Sequence, residues 1–203
     1  MPGGFGNRGI EGKIKSAQYA RENGIPYFGV SLGMQCAGIE FARNALGLRG
    51  ANSTEFDPAT PHPVISMLAE QRKIKQMGGT MRLGAQPCQL RKGTLAQQIY
   101  RDSRVFERHR HRYEFNGAYR DGFAKAGMVV SGYLPGKRLA EIMELTHHLF
   151  YLGCQFHPEL KSKPDHCHPL FRAFVKAALQ RRQQINAVRP ELVEGRMEPA
   201  TAS

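Results

Sequence analysis

What this sequence lacks narrows it first. Its 203 residues contain no run of about 18 apolar side chains, so nothing in it reads as a membrane-spanning helix. The first residues show no charged-then-apolar leader, which argues against export. Four cysteines, Cys36, Cys88, Cys154 and Cys167, are scattered and form no Cys-x-x-Cys pair. They read as reduced thiols of a cytoplasmic protein, with neither a zinc site nor a disulfide framework expected. No Gly-x-x-x-x-Gly-Lys-Ser/Thr phosphate loop occurs anywhere. Acidic residues are scarce: 17 against 29 Lys and Arg leave a formal charge of +12. That surplus is spread out, at Lys13, Lys15, Arg72, Lys73, Lys75, Arg91, Lys92, Lys161, Lys163, Arg181 and Arg182. No recognition helix, zinc finger or aromatic–basic motif accompanies it. Charge alone speaks to association and not to fold, so neither nucleic acid nor membrane is an expected partner.

What is present suits one well-buried domain, with 41% hydrophobic and 23% charged residues. The chain is organised around residues 26–35, Pro-Tyr-Phe-Gly-Val-Ser-Leu-Gly-Met-Gln. Tyr27, Phe28 and Val30 end a buried strand, and a helical pattern follows at once over 32–48. Gly29 and Gly33 flank Ser31, and glycines there let a strand turn sharply into a helix. Ser31 would project from the apex, at the positive end of the helix. Backbone N–H groups at such a corner stabilise an oxyanion, so Ser31 is a candidate nucleophile.

The rest of the chain reads as alternating elements. Pro2-Gly3-Gly4-Phe5-Gly6 is a glycine-rich turn of the kind that follows a strand, with no strand before it. A helix is predicted over 10–23, ended by Gly24 and Pro26. Residues 52–63 read as a loop, 64–68 as a short strand, and 80–90 as one or two strands broken near Gly84. Short helices are predicted over 95–100 and 121–126. Strands follow over 128–133, 139–145 and 149–156, then an amphipathic helix over 170–179. Past residue 183 the period is lost. The expected division is a domain over 1–183 and a disordered tail over 184–203. Strands interleaved with helices indicate an α/β fold with a mainly parallel sheet.

The last of those strands runs into Gln155-Phe156-His157-Pro158-Glu159. Strand ends at the carboxyl edge of a parallel sheet converge on the crevice where ligands bind. A histidine there can act as general base to a nucleophile, and a nearby carboxylate can orient its ring. His157 and Glu159 are therefore the candidate partners of Ser31.

The segments Pro-Gly-Gly-Phe-Gly, Gly-Val-Ser-Leu-Gly-Met-Gln, Asn-Ser-Thr-Glu-Phe, Gly-Gly-Thr-Met-Arg-Leu-Gly, Glu-Arg-His-Arg-His-Arg-Tyr-Glu and Gln-Phe-His-Pro-Glu occur in that order. Together they resemble the class I glutamine amidotransferase domain of the CTP synthase family, over residues 2–179. The elbow and His-Pro-Glu are common to class I amidotransferases; Asn-Ser-Thr-Glu-Phe, Gly-Gly-Thr-Met-Arg and Arg-His-Arg-His-Arg-Tyr point to the CTP synthase branch. The resemblance implies a flavodoxin-like three-layer fold. It also implies a glutaminase whose ammonia reaches a synthetase domain that aminates UTP with ATP. By position it places the nucleophile at Ser31, the base at His157 and its partner at Glu159. Gly3 and Gly4, with the N–H of Leu32 and the turn through Gly33 and Met34, match the oxyanion site. Gln35, Glu55 and Arg112 match positions that hold L-glutamine: a carboxylate suits its α-ammonium and a guanidinium its α-carboxylate. No cofactor or metal is implied for the glutaminase part; ATP and Mg belong to the absent synthetase domain.

Two departures bear on activity. The family carries cysteine where this chain has Ser31, and a hydroxyl must lose its proton during attack, whereas a thiol beside histidine ionises readily. Cys36 lies about one helical turn further on and should face elsewhere. The synthetase domain and the first strands of the amidotransferase domain are also absent. The expectation is therefore a glutamine site with poor turnover, or a catalytically inactive module that binds glutamine or a synthetase partner. Gly-Val-Ser-Leu-Gly also fits the elbow of serine hydrolases, but those place an acid between serine and a final histidine. Here the carboxylate follows the histidine.

Overall fold

The computed structural model describes residues 1–67 and 81–188. Strand β1 (Tyr27–Val30), at one end of the main sheet, is buried at every position. The alternation of a strand sends Tyr27 to one face and Phe28 and Val30 to the other. Helices α1 (Ile10–Glu22) and α2 (Leu32–Asn44) cover the first face, packing Ile14, Ala17, Met34, Ile39 and Phe41 around Tyr27. Helices α3 (Leu95–Tyr100) and α5 (Pro169–Val188) cover the second, where Phe28 meets Phe171 and Phe174. The α/β class, with helices flanking a central sheet, is as the sequence indicates.

The other strands are β2 (Asn52–Ser53), β3 (Pro63–Ser66), β4 (Arg82–Leu90), β5 (Arg104–His111), β6 (Glu114–Phe115), β7 (Met128–Tyr133), β8 (Ala140–Leu145) and β9 (Tyr151–Cys154). Helix α4 (Arg120–Lys125) precedes β7. Six strands form one sheet in the order β1-β9-β8-β7-β4-β5, and β2-β3-β6 form a second. The sheet is mixed, which corrects the expectation of a mainly parallel one. Among the described strands only β1–β9 and β2–β3 pair in parallel; the remaining pairs are antiparallel. The links explain this: 134–139 between β7 and β8, and 146–150 between β8 and β9, are too short for a parallel crossover.

Several boundaries differ from the sequence reading. Helix α2 stops at Asn44, not 48, because Gly47 at φ 67° turns the chain out of the helix. The predicted loop 52–63 contains β2. Strand β4 runs unbroken through Gly84, which takes φ 80° without losing its register with His109. Residues 68 and 80, the predicted ends of two strands, lie outside the described residues. Helix α5 continues to Val188, past the predicted end of the domain at 183. Arg181, Arg182, Gln183 and Gln184 are good helix formers, and Arg181 also donates to Asn23 O at 2.8 Å. Residues 189–203 of the predicted tail lie outside the described residues.

Two glycines seat α2 on the sheet. Gly29 and Gly153 are register partners in β1 and β9. A Cβ added at Gly29 would stand 2.7 Å from the backbone C and O of Gly33, and one at Gly153 would stand 2.7 Å from Met34 Cγ. The first turn of α2 therefore rests directly on strand backbone. Gly29→Ala is expected to cost roughly 3 kcal/mol, lowering Tm by at least about 5 °C, because backbone cannot give way. Gly12→Ala, in open space on the exposed side of α1, is expected to raise stability slightly, by about 0.5–1 kcal/mol. Thermal melts of the two variants give the comparison; equal and small shifts would contradict this packing.

Candidate functional site

The turn from β1 into α2 puts Ser31 in an unusual backbone state, φ 51° and ψ −108°, which a side-chain-bearing residue rarely adopts. Such a conformation costs about 1–3 kcal/mol and persists only where its surroundings impose it. Here Ser31 N donates to Cys154 O at 2.6 Å, Ser31 O accepts from Gln35 N at 3.2 Å, and Val30 N donates to Met1 O at 2.9 Å. The first turn of α2 holds no acidic residue, so the positive end of its dipole is left for a ligand. Ser31 is 4% exposed and lines a small pocket.

His157 and Glu159 meet as the sequence suggests. His157 Nδ1 lies 2.6 Å from Glu159 Oε1. An ionised carboxylate only accepts, so Nδ1 carries a proton, and in the neutral ring Nε2 then presents its lone pair. Nε2 is buried and has no hydrogen-bond partner. Gly3 stands between this ring and the serine: a Cβ added to it would lie 3.1 Å from His157 Cε1 and 3.4 Å from Ser31 Cβ. An imidazole nitrogen that reaches a neighbouring serine can receive the hydroxyl proton during attack on a carbonyl; here Nε2 makes no hydrogen bond to Ser31.

The pocket is lined by Gly4, Phe5, Ser31, Gln35, Glu55, His111, Arg112 and Tyr113. Five of these, Gly4, Ser31, Gln35, Glu55 and Arg112, are candidates from the sequence, drawn together from four separate segments. Gln35 spends its amide hydrogens on Tyr113 O at 3.0 Å and Gln155 Oε1 at 3.2 Å, which leaves its carbonyl oxygen for a ligand. Glu55 Oε1 accepts from Gly6 N at 3.1 Å, tying the Gly-rich turn over the pocket. Leu32 borders Gly4 through its Cδ2, whereas a Cβ on Gly33 would collide with Met1 O at 2.5 Å. Met34 turns its side chain onto Gly153, so only its backbone is left to serve the elbow. Cys36 faces the α1–α2 core, and burial pushes its thiol up to about 12.

Phe5, His111 and Tyr113 are site residues that the sequence reading does not assign. For His111 the reason is strand β5, whose charged sequence hides its alternation. Arg104, Phe106, Arg108 and Arg110 point outward or sit partly exposed, while Glu107, His109 and His111 are buried. Two of those inward groups, His109 and His111, join a charged network. Arg82 reaches Glu114 at 2.9 Å and Glu141 at 2.6 Å, His111 Nε2 meets Glu114 at 2.7 Å, and His109 bonds Glu141. Burial alone would raise the Glu114 carboxyl, but His111 and Arg82 outweigh it and hold it below the usual carboxylate range. Burial pushes the His111 imidazole down, against the pull of Glu114. The period-two placing of histidines at 109 and 111 was the available signal.

Among the described residues no cluster of His, Cys, Asp and Glu could hold a metal ion, and no helix is long and apolar enough to cross a membrane. The family model for glutamine amidotransferase class-I matches residues 1–177. The CTP synthase of Caldanaerobacter subterraneus subsp. tengcongensis is 62% identical over 179 residues, which is 88% of this chain and 33% of that protein. The CTP synthase of Aquifex aeolicus is 59% identical over 180 residues, 89% of this chain and 34% of that one. The chain thus spans about a third of the length of these curated relatives. Among solved structures, the glutaminase domain of the Trypanosoma brucei CTP synthase with bound acivicin superposes with a TM-score of 0.83 at 42% identity. That match covers 88% of this chain and 69% of the other.

Proposed function

The chain belongs to the glutamine amidotransferase class-I family, and from that premise we propose that its pocket binds L-glutamine and that Ser31, His157 and Glu159 form its hydrolytic site. The observation that carries this reading is the bare, buried Nε2 of His157, with Nδ1 tied to Glu159, across Gly3 from Ser31. In this reading Ser31 Oγ attacks the carboxamide carbon and its proton passes to His157 Nε2. The backbone N–H of Leu32 and the turn through Gly3 and Gly4 meet the developing oxyanion, with Gly33 and Met34 shaping the elbow. The proton then goes to the departing nitrogen, ammonia leaves, and water releases glutamate from the acyl-serine. Glu55 receives the α-ammonium, Arg112 the α-carboxylate and the Gln35 carbonyl oxygen a ligand N–H.

By the same reading the ammonia serves a CTP synthase synthetase portion, which would bind ATP and Mg and aminate UTP. The serine makes this a slow glutaminase, because a hydroxyl is a far weaker nucleophile than a thiolate in a site of this shape. Calorimetric titration with L-glutamine tests the pocket apart from the chemistry. Binding is expected, and Glu55→Gln and Arg112→Gln should each weaken it by roughly tenfold or more, as loss of a charged hydrogen bond implies. Binding that ignores both substitutions would place the ligand elsewhere. Binding with no ammonia release, even after restoration of a thiol, would make the chain a glutamine-binding module.

A further inference from the structure

His157 and Glu159 cannot hold themselves in place. Glu159 has a side chain 47% exposed, and its turn, Pro158–Leu160, is a single 3-10 segment past the end of β9. What fixes the turn lies beneath it. His157 N donates to Arg108 O at 2.8 Å, which lays the turn along the outer edge of β5. Four residues on, Lys161 Nζ donates to Phe106 O at 2.6 Å and stands 3.2 Å from Glu107 Oε1. The same oxygen of Glu107 accepts from His168 Nε2 and from Tyr100 OH, each at 3.0 Å. Between Lys161 and His168 the chain closes on itself: Lys163 and His166 exchange backbone bonds at 3.1 Å, and His168 N donates to Ser162 Oγ at 3.2 Å. Glu107 is wholly buried at the junction of α3, β5, this segment and the start of α5.

We infer that Glu107 is a positioning residue for His157: its carboxylate pins the segment 157–168 at Lys161 and His168 and so sets the imidazole against Gly3 and Ser31. The inference rests on the glutaminase reading for its catalytic consequence but not for its structural one. Burial would raise the Glu107 carboxyl, yet His168 and Lys161 outweigh it and keep the group anionic, as the latch requires. Three donors converge on one oxygen while the other has none, so the group is committed to holding this junction. Removing its charge loosens Lys161 first, leaving it only the bond to Phe106 O, because that side chain is 40% exposed and water replaces its carboxylate partner at small cost.

The test has two readouts. Two-bond proton–nitrogen correlation NMR of the unliganded chain reports the His157 tautomer, expected to be the Nδ1-protonated form. In Glu107→Gln and in Lys161→Met the ring should move toward a mixture of tautomers, while Lys161→Arg keeps the parent state. Lys161→Met alters a partly exposed side chain and decides the matter if Glu107→Gln does not fold. An unchanged His157 tautomer in the folded variants would overturn the inference. In a Ser31→Cys background the same two substitutions should lower kcat for ammonia release by roughly tenfold to a hundredfold, as displacement of a catalytic group does, with KM within about twofold. A change in KM with kcat unaltered would also overturn it. If the Ser31→Cys parent releases no ammonia, the glutaminase reading fails, and the NMR result alone decides whether Glu107 positions His157.

Discussion

Ser31→Cys is expected to raise ammonia release from glutamine by at least about a hundredfold, some 3 kcal/mol in barrier height. The reasons are local. The backbone at residue 31 already holds the strained φ 51° of the corner, and Gly29 and Gly33 already let the first turn of α2 and Met1 pack closely behind it. His157 Nε2 is already bare. What the site lacks is a group that ionises at neutral pH, and a thiol next to an imidazole and a helix N-terminus does so. The existing cysteines cannot stand in. Burial pushes Cys36 up to about 12 and raises Cys88 and Cys154 as well, while exposed Cys167 sits before α5. Alkylation followed by peptide mapping should therefore find residue 31 labelled fastest in the variant, with glutamine protecting it. A variant that stays silent although folded and able to bind glutamine would show that the pocket is not arranged for thiol attack.

The elbow was legible in the sequence because each of its parts has a short-range cause. Glycines at 29 and 33 have no other use at that spacing, and an apolar run that gives way to helical period marks the junction. The His157–Glu159 pair was legible for the same reason, as a turn fixed by Pro158 past a buried strand. Strand direction was not, since pairing is settled by links such as 134–139 and 146–150, whose consequence appears only when the strands are laid side by side. Strand β5 was hidden more deeply. Apolar alternation announces a strand, but here the inward positions are Glu107, His109 and His111, ionisable groups that look solvated until their partners are known. Of those partners only Glu114 is a near neighbour in sequence; Arg82, Glu141, Lys161 and His168 come from other parts of the chain. A residue such as Arg82 carries no local mark that its guanidinium is spent on two buried carboxylates.

Gly3→Ala should abolish most of whatever activity Ser31→Cys confers, by roughly a hundredfold in kcat, with little change in Tm. The added methyl would sit 3.1 Å from His157 Cε1 and 3.4 Å from the Cβ of residue 31, between the base and the nucleophile. The 3.1 Å contact requires the imidazole to give by a few tenths of an ångström, whereas 3.4 Å is ordinary contact. Stability is spared because Gly3 lies in a partly exposed turn near the chain start and no φ constraint reserves it for glycine. Gly4→Ala makes the comparison sharp. Its methyl would meet Leu32 Cδ2 at 3.3 Å and Lys13 Nζ at 3.6 Å, both far ends of flexible side chains that can swing away. Its backbone N–H is retained, so its effect should be several-fold at most by the same argument from displacement. Steady-state kinetics of the two double variants, with melts alongside, separate the cases. Equal losses would mean that the turn acts through its backbone alone, whereas a selective loss at Gly3 would locate the space across which the proton is handed from residue 31 to His157.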